Sequence, residues 1–120
     1  VACSPAQLNQ VFLNLLVNAM QAIEATRKPS GRIEITTRAA DSQVIIEIAD
    51  DGCGIPPEAV SKIFDPFFTT KKIGEGTGLG LSITHSIVRD HNGEIEVEST
   101  PDEGTRFRVI LPINPKDKTP

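Results

Sequence analysis

Several classes of protein are excluded by what the sequence has little of. Its two cysteines, Cys3 and Cys53, are too few and too far apart for a disulfide framework, and no Cys-x-x-Cys pair is present, which favours a reducing compartment. No apolar run approaches the roughly 20 residues that span a bilayer, and no signal-peptide pattern is present. The formal net charge of −4 argues against a general nucleic-acid surface, because such a surface needs a basic face.

Three common kinds of ligand site are also missing. The chain has no Gly-x-x-x-x-Gly-Lys-Ser/Thr, and its glycines do not fit the dinucleotide-binding pattern Gly-x-Gly-x-x-Gly. Zinc would need ligands at a recognisable spacing, and Cys3, Cys53, His85 and His91 do not provide one. Any phosphate chemistry must therefore come from a different arrangement.

The 120 residues, 38% of them hydrophobic, fit one globular domain, which we place at residues 1–113, followed by a polar tail at 114–120. Periodicity predicts long helices at 4–25 and 78–91 and a short one at 57–63. Alternating patterns predict strands at 32–38, 43–49, 94–99 and 105–112, the first two joined as a hairpin. The predicted fold class is α+β, a two-layer α/β sandwich with a mixed, mostly antiparallel sheet covered on one face by helices.

The first helix has an apolar surface that extends far around its axis. Leu8, Val11 and Leu15 belong to one broad face, and Leu13 and Met20 extend it. We therefore expect this helix to be more buried than an ordinary surface helix.

Four side-chain amides interrupt that apolar surface on one side of the helix: Gln10, Asn14, Asn18 and Gln21 (the amide stripe). A buried amide without partners costs about 1–3 kcal/mol, so the stripe faces either water or a polar ligand. It is uncharged, whereas an exposed helix face usually carries Lys and Glu, and this favours the ligand.

Two further segments are ambiguous when taken alone. Asp50 ends a strand, and Gly-Cys-Gly occupies positions 52–54. This segment is either a simple turn or a place where an acidic acceptor lies beside backbone without side chains. The glycine-rich run 74–82 enters a helix, and is either a flexible loop or a cradle for phosphate at a helix N-terminus. Residues 69–77 before that helix have no periodicity and include Lys71, which is typical of a lid.

Four segments occur in order and at compatible spacing: NLLVNA at 14–19, DDGCGI at 50–55, FDPFF at 64–68 and GTGLGL at 76–81. Together they resemble the ATP-binding catalytic domain of two-component sensor histidine kinases, and the resemblance covers nearly the whole chain. It implies the ATP-binding sandwich shared with DNA gyrase B, MutL and the ninety-kilodalton heat-shock chaperones.

The resemblance implies ATP and Mg²⁺ as cofactors and gives each matching residue a role. Asn18 would bind Mg²⁺, Asn14 would line the phosphate region, and Asp50 would accept a hydrogen bond from the adenine amine. Lys71 would contact the γ-phosphate, so Asn14, Asn18 and Lys71 are the catalytic candidates. The nucleotide-binding candidates are Asn14, Asn18, Asp50, Gly52, Gly54, Ile55, Phe67, Lys71, Thr77, Gly78, Leu79, Gly80 and Leu81.

Position 14 distinguishes between activities within this superfamily. Gyrase-type ATPases have a water-activating Glu where this chain has Asn14, and an amide cannot act as a base, so phosphoryl transfer is favoured over hydrolysis. The implied acceptor is a His on a separate dimerisation domain of the same kinase, with a response-regulator receiver domain as the indirect partner. His85 and His91 lack the acidic context of such an acceptor. The alternatives are a nucleotide-binding regulatory module without phosphotransfer and a serine kinase of the anti-sigma-factor type.

The chain departs from many family members at Gln21 and Ala22, where they have a basic residue and an aromatic one. Kinases of the nitrogen-regulation type resemble it here, and Lys71 is our hypothesis for the missing basic contact. We expect the isolated domain to be monomeric and cytoplasmic, with no nucleic acid and no membrane contact of its own, which is compatible with a membrane-anchored parent kinase.

Overall fold

The computed structural model of the protein describes residues 5–65 and 80–113. Helices and strands of this part of the chain follow in the order α1 (Pro5–Glu24), β1 (Ile33–Ala40), β2 (Gln43–Asp50), α2 (Pro57–Val60), α3 (Gly80–Asp90), β3 (Glu94–Thr100) and β4 (Gly104–Pro112). Their types and order confirm the prediction. The short helix differs in length, since α2 ends at Val60 and the chain continues as a turn.

The four strands form one sheet in the order β1-β2-β4-β3, and each neighbouring pair is antiparallel. Among the described strands the sheet is therefore antiparallel throughout, where the sequence predicted a mixed, mostly antiparallel one. The β1–β2 hairpin turns through Asp41 and Ser42, whose φ angles are 52° and 64°. Positive φ at both positions is the type I′ geometry, whose twist matches that of the flanking strands.

The hydrophobic core lies between one face of the sheet and the helices α1 and α3, which agrees with the predicted two layers. Each helix contributes residues at helical spacing and each inner strand contributes alternate residues, as the two periodicities require. The most buried apolar side chains are Val11, Leu15, Ala19, Ile48, Val88, Phe107, Val109 and Leu111. Because β2 and β4 are the central strands, Asp50 lies at the end of a central strand, on the face that α1 covers.

Two surfaces are more exposed than the sequence predicted. On α1, the side chains of Leu13 and Met20 are 56% and 52% exposed and Val17 is 40% exposed, so the expectation of an unusually buried helix is wrong. On β1, Ile35 is 58% exposed although it alternates with polar residues. β1 is an edge strand against which no helix of the described residues packs extensively, so only its first residues, such as Ile33, reach the core.

The other face of the sheet carries charged side chains paired across the strands. The guanidinium of Arg108 donates to Glu47 at 2.8 Å and to Glu96 at 3.1 Å. The hydrogen bond from Arg108 is the main cause that lowers the pKa of Glu47. This ladder joins β2, β4 and β3 on the side away from the helices, and so it stabilises the sheet without occupying the face where Asp50 lies.

Candidate functional site

Asp50 is held by backbone groups at the end of β2. It pairs with Ile33 of β1 on one side and with Thr105 of β4 on the other. The N–H of Gly52 donates to its Oδ1 at 2.8 Å. Burial raises the pKa of this carboxyl group, although the backbone N–H groups of Gly52 and Thr105 oppose the shift. The site thus contains a half-buried acceptor fixed in orientation, which can read a hydrogen-bond donor on a ligand.

The loop after Asp50 is fastened to three neighbouring elements. The N–H of Cys53 donates to the carbonyl oxygen of Ala22 in α1 at 3.0 Å. The N–H of Asp102 donates to the carbonyl oxygen of Cys53 at 2.8 Å. The N–H of Ile55 donates to Oγ of Ser99 in β3 at 2.7 Å. These bonds fix the backbone of the loop, so a ligand at Asp50 would contact a loop already held in one conformation.

Asp51, the second carboxylate of this segment, has a different environment. Its Oδ1 accepts from the backbone N–H of Arg32 at 2.8 Å, and its Oδ2 lies 3.1 Å from Nζ of Lys28. The N–H of Arg32 and then the ammonium of Lys28 hold the pKa of Asp51 below its ordinary value. Asp51 therefore links Lys28, which follows α1, to Arg32, which precedes β1. Its pKa is lowered, whereas the pKa of the neighbouring Asp50 is raised.

Both glycines of this segment are required by packing within the protein. A Cβ at Gly52 would lie 2.5 Å from the carbonyl carbon of Ala22, and Gly54 has a φ of 75° with the carbonyl oxygen of Thr100 in its way. By resemblance these glycines were expected to let the backbone approach the base. The structure gives them a further reason, which is close contact with α1 and with the end of β3.

Alanine substitutions at Gly52 and Gly80 are expected to differ in their effect on stability, because only Gly52 is closely packed. Gly52→Ala would overpack against Ala22 and should lower the free energy of unfolding by about 1–3 kcal/mol. Gly80→Ala should leave stability unchanged or slightly raised, because the nearest atom to its Cβ is Cγ of Asn14 at 4.0 Å and Ala favours a helix over Gly. Thermal unfolding of both variants beside the unsubstituted domain measures the difference. Equal losses of stability would contradict this packing.

The amide stripe on α1 is only partly open to a ligand. Nδ2 of Asn14 donates to the carbonyl oxygen of Gly80 at 3.1 Å and to Oγ1 of Thr84 at 3.2 Å. Oδ1 of Asn14 accepts from Nε2 of Gln10 at 2.7 Å. Asn18, one turn further along, is half-buried and makes no side-chain hydrogen bond within residues 5–65 and 80–113. Asn14 thus joins α1 to α3, whereas the amide of Asn18 makes no such contact within the described residues.

Several of the predicted site residues lie outside the described part of the chain: Phe67, Lys71, Thr77, Gly78 and Leu79. The lid prediction for residues 69–77 falls there as well. Gly80 and Leu81 lie in α3, which agrees with the predicted helix, while its predicted start at Gly78 falls outside the described residues. Leu81 packs against the core, as does Ile55.

The described residues fit Mg²⁺ only if a nucleotide brings further ligands. Mg²⁺ prefers oxygen and is usually bound by one or two protein groups together with substrate phosphates and water. Asn18 offers an amide oxygen of the required kind. Within 5–65 and 80–113 no group of three or more His, Cys, Asp or Glu could hold a metal by itself, so the chemistry fits a nucleotide-bound ion rather than a protein cage.

Both histidines serve structural contacts. The ring of His85 stacks on Phe64 with centroids 5.2 Å apart. Nδ1 of His91 lies 2.8 Å from the carbonyl oxygen of Ile87 at the end of α3. Each imidazole therefore takes part in a contact within the domain.

Sequence reasoning missed two polar residues that shape the site, Ser99 and Thr84. Ser99 accepts from Ile55, and its Oγ also lies 2.9 Å from Oγ1 of Thr105. Thr84 is completely buried beneath Asn14. Ser99 belongs to the ordinary alternation of a strand and Thr84 to the face of a helix, so only the contacts between elements reveal their roles.

Comparison with known proteins places this arrangement in a family. The family described as "Histidine kinase-, DNA gyrase B-, and HSP90-like ATPase" matches residues 3–115. The chain is 52% identical over 110 residues to the signal transduction histidine-protein kinase AtoS of Escherichia coli, and 40% identical over 114 residues to sporulation kinase E of Bacillus subtilis. These matches cover 91% and 94% of this chain but only 17% and 15% of those relatives. The chain thus spans less than a fifth of their length.

Solved structures agree with the sequence matches. The catalytic domain of histidine kinase ThkA superposes with a TM-score of 0.80 at 37% identity, covering 95% of this chain and 71% of that one. Full-length ShkA in complex with AMPPNP superposes with a TM-score of 0.76 at 31% identity, covering 88% and 21%. Among the described residues no helix is both long and apolar enough to cross a membrane. The chain belongs to the histidine kinase-, DNA gyrase B- and HSP90-like ATPase family, and within that family it matches the catalytic module of sensor histidine kinases.

Proposed function

We propose that this domain binds Mg²⁺–ATP beside Asp50 and the amide stripe, and transfers the γ-phosphate to a histidine of a separate domain. The observation that carries the proposal is the carboxylate of Asp50, half-buried at the end of a central strand and oriented by the N–H of Gly52. An acceptor-only group at this position favours adenine, whose exocyclic amine donates, over guanine, which has a carbonyl there.

Asn18 is the residue that would hold the metal. Its amide is half-buried on the same side of α1 as Asn14 and has no hydrogen-bond partner among the described residues. When bound, Mg²⁺ supplies charge neutralisation for the phosphates. The protein's own contribution is to position the nucleotide, for which Lys71 remains our candidate contact to the γ-phosphate.

Transfer rather than hydrolysis is supported by Asn14. An amide cannot take a proton from water, and the nitrogen of this amide already donates into α3. In the proposed transfer, the lone pair of an imidazole nitrogen attacks the γ-phosphorus and the bond to the β–γ bridging oxygen breaks. ADP leaves, and the imidazole releases its ring proton.

The acceptor histidine would be supplied by another part of the parent protein. The relatives are far longer than this chain, and His85 and His91 are both engaged in structural contacts. The proposed partner is thus the His-bearing dimerisation domain of the same kinase. A receiver domain of a response regulator would take the phosphate from that histidine.

Mixing the domain with a His-bearing dimerisation domain and γ-labelled ATP tests this proposal. We expect Mg²⁺-dependent label on the partner that is lost in acid, because the phosphorus–nitrogen bond of phosphohistidine is acid-labile. Label that survives acid would instead support the serine kinase. Nucleotide binding without any transfer would support the regulatory module, and the partner with its histidine replaced is the matched control.

A further inference from the structure

Thr84 is a polar residue at a position where an apolar one would be expected. It lies in the middle of α3, its exposed fraction is 0%, and its neighbours Ile87 and Val88 belong to the hydrophobic core. A buried hydroxyl group without partners costs free energy, so its contacts carry information. Its Oγ1 donates to the carbonyl oxygen of Gly80 at 2.9 Å and accepts from Nδ2 of Asn14 at 3.2 Å.

These contacts determine which way the amide of Asn14 points. Nδ2 of Asn14 also donates to the carbonyl oxygen of Gly80, so the amide nitrogen faces the α1–α3 contact. A flipped amide would bring Oδ1 against the carbonyl oxygen of Gly80, and two acceptors repel each other. On the other side, Oδ1 accepts from Gln10 at 2.7 Å and keeps a second lone pair. Asn14 therefore turns its carbonyl oxygen, rather than its amide nitrogen, toward Gln10 of the amide stripe.

We propose that Thr84 is a positioning residue that holds Asn14 with its carbonyl oxygen outward, so that the site accepts the hydrated cation of Mg²⁺–ATP and disfavours metal-free ATP. An outward N–H would bind a phosphate oxygen directly. An outward oxygen repels phosphate and accepts from water bound to Mg²⁺ or binds the ion itself. The inference rests on the proposed function and deepens it, since it names the metal–nucleotide complex as the ligand that this orientation selects.

The substitution Thr84→Val tests the hydroxyl group, because it removes the hydroxyl and nearly preserves the shape. Thr84→Ser is the matched control, since it keeps the hydroxyl and removes the methyl group. ATP affinity is measured by calorimetric titration with Mg²⁺ and again with a chelator, and the ratio of the two affinities is compared. We expect Thr84→Val to lower this ratio by roughly 2- to 10-fold, the size of one hydrogen bond, and Thr84→Ser to retain it.

The possible outcomes separate this inference from the function on which it rests. If the ratio of ATP affinities with and without Mg²⁺ is the same in Thr84→Val as in the wild-type domain, the positioning role is overturned and ATP binding stands. An equal fall in both variants would assign the effect to packing, which also overturns it. No ATP binding by the wild-type domain under either condition would instead overturn the proposed function.

A measurement on the wild-type domain keeps the inference testable if Thr84→Val does not fold. The side-chain amide protons of Asn14 should exchange with solvent at least about tenfold more slowly than those of Asn9, which is exposed on the same helix. Equal exchange rates would mean that the hydrogen bonds to Gly80 and Thr84 do not hold the amide, and would overturn the inference.

Discussion

Replacing Asp50 with Asn is expected to weaken ATP binding by roughly 10- to 100-fold, because a hydrogen bond to a charged group contributes about 1.5–3 kcal/mol. The carbonyl oxygen of the new amide would take over the bond from Gly52, and its N–H groups would then face the adenine amine, a contact between two donors. Guanine has a carbonyl in that position, so the preference for ATP over GTP should shrink as well. Parallel titrations with ATP and GTP measure both effects.

Asp51→Asn is the matched control for Asp50→Asn, since it removes the adjacent carboxylate. It should leave ATP affinity close to that of the unsubstituted domain and lower stability, because Asp51 pairs with Lys28 and accepts from Arg32. Asp50→Asn should not lower stability at neutral pH, because burial raises the pKa of Asp50 and the fold therefore opposes its ionised form. Equal losses of affinity in the two variants would contradict the adenine-reading role.

The pH dependence of ATP binding provides a second check on Asp50. In the proposed site the adenine amine binds the ionised carboxylate, so ATP affinity should fall as the pH falls through the raised pKa of Asp50, by up to about tenfold per pH unit. The fall should begin at a higher pH than it would for an ordinary Asp. ATP itself titrates in acid, so the profile is measured against that of Asp50→Asn, in which this component should be absent. Identical profiles would count against the assignment.

The stability of the domain should respond to pH in two opposite ways. Asp50 has a raised pKa in the folded protein, so its contribution is fully present below its unfolded pKa and is lost as the pH rises through the folded one. Asp51 and Glu47 have lowered pKa values, so their contributions are present above the unfolded pKa and are lost as the pH falls. Asp50→Asn should therefore remove the loss of stability that occurs as the pH rises. It should leave unchanged the loss that occurs as the pH falls.

Replacing Asn18 with Asp is expected to lower the rate of phosphotransfer at saturating ATP by about 100-fold or more. This is the loss typical when one stabilising group of a transition state is removed. The new carboxylate would add negative charge where the phosphates already carry several charges, and it would cancel part of the charge that Mg²⁺ supplies to them. Initial rates across a range of Mg²⁺ concentrations measure the effect.

Asn9→Asp is the matched control for this second substitution. Asn9 lies on the same helix and is exposed, so the same change of charge should leave the rate nearly unaltered. An unchanged rate in Asn18→Asp would remove Asn18 as the metal-binding residue. A rate lowered equally in both variants would point to the net charge of α1 instead of to a specific site.

Much of the fold could be predicted from local patterns. Period-2 alternation predicted β2, β3 and β4, and the apolar repeat with its Ser-Pro start predicted α1. These patterns succeed because an element's periodicity follows from its own backbone geometry. They failed for the burial of Leu13, Met20 and Ile35, because burial depends on which neighbour lies above a face and not on the apolar character of the face.

Part of the candidate site could be predicted in the same way. The motif positions identified Asp50, Asn14 and Asn18 without any knowledge of distances, since residue type and spacing carry the resemblance. The contacts of those residues could not be predicted. Thr84 lies 70 positions from Asn14 along the chain, and no local pattern relates the two side chains.

The sequence by itself determined the elements, their order and the family, because local geometry and motif spacing are properties of the chain. Only the tertiary structure decided how the site residues are used. It gave Asp50 a raised pKa through burial, required Gly52 through its contact with Ala22, and placed the amide nitrogen of Asn14 against Gly80 and Thr84. The physical reason is that desolvation, close packing and hydrogen-bond direction arise between elements, and they exist only once the elements have packed together.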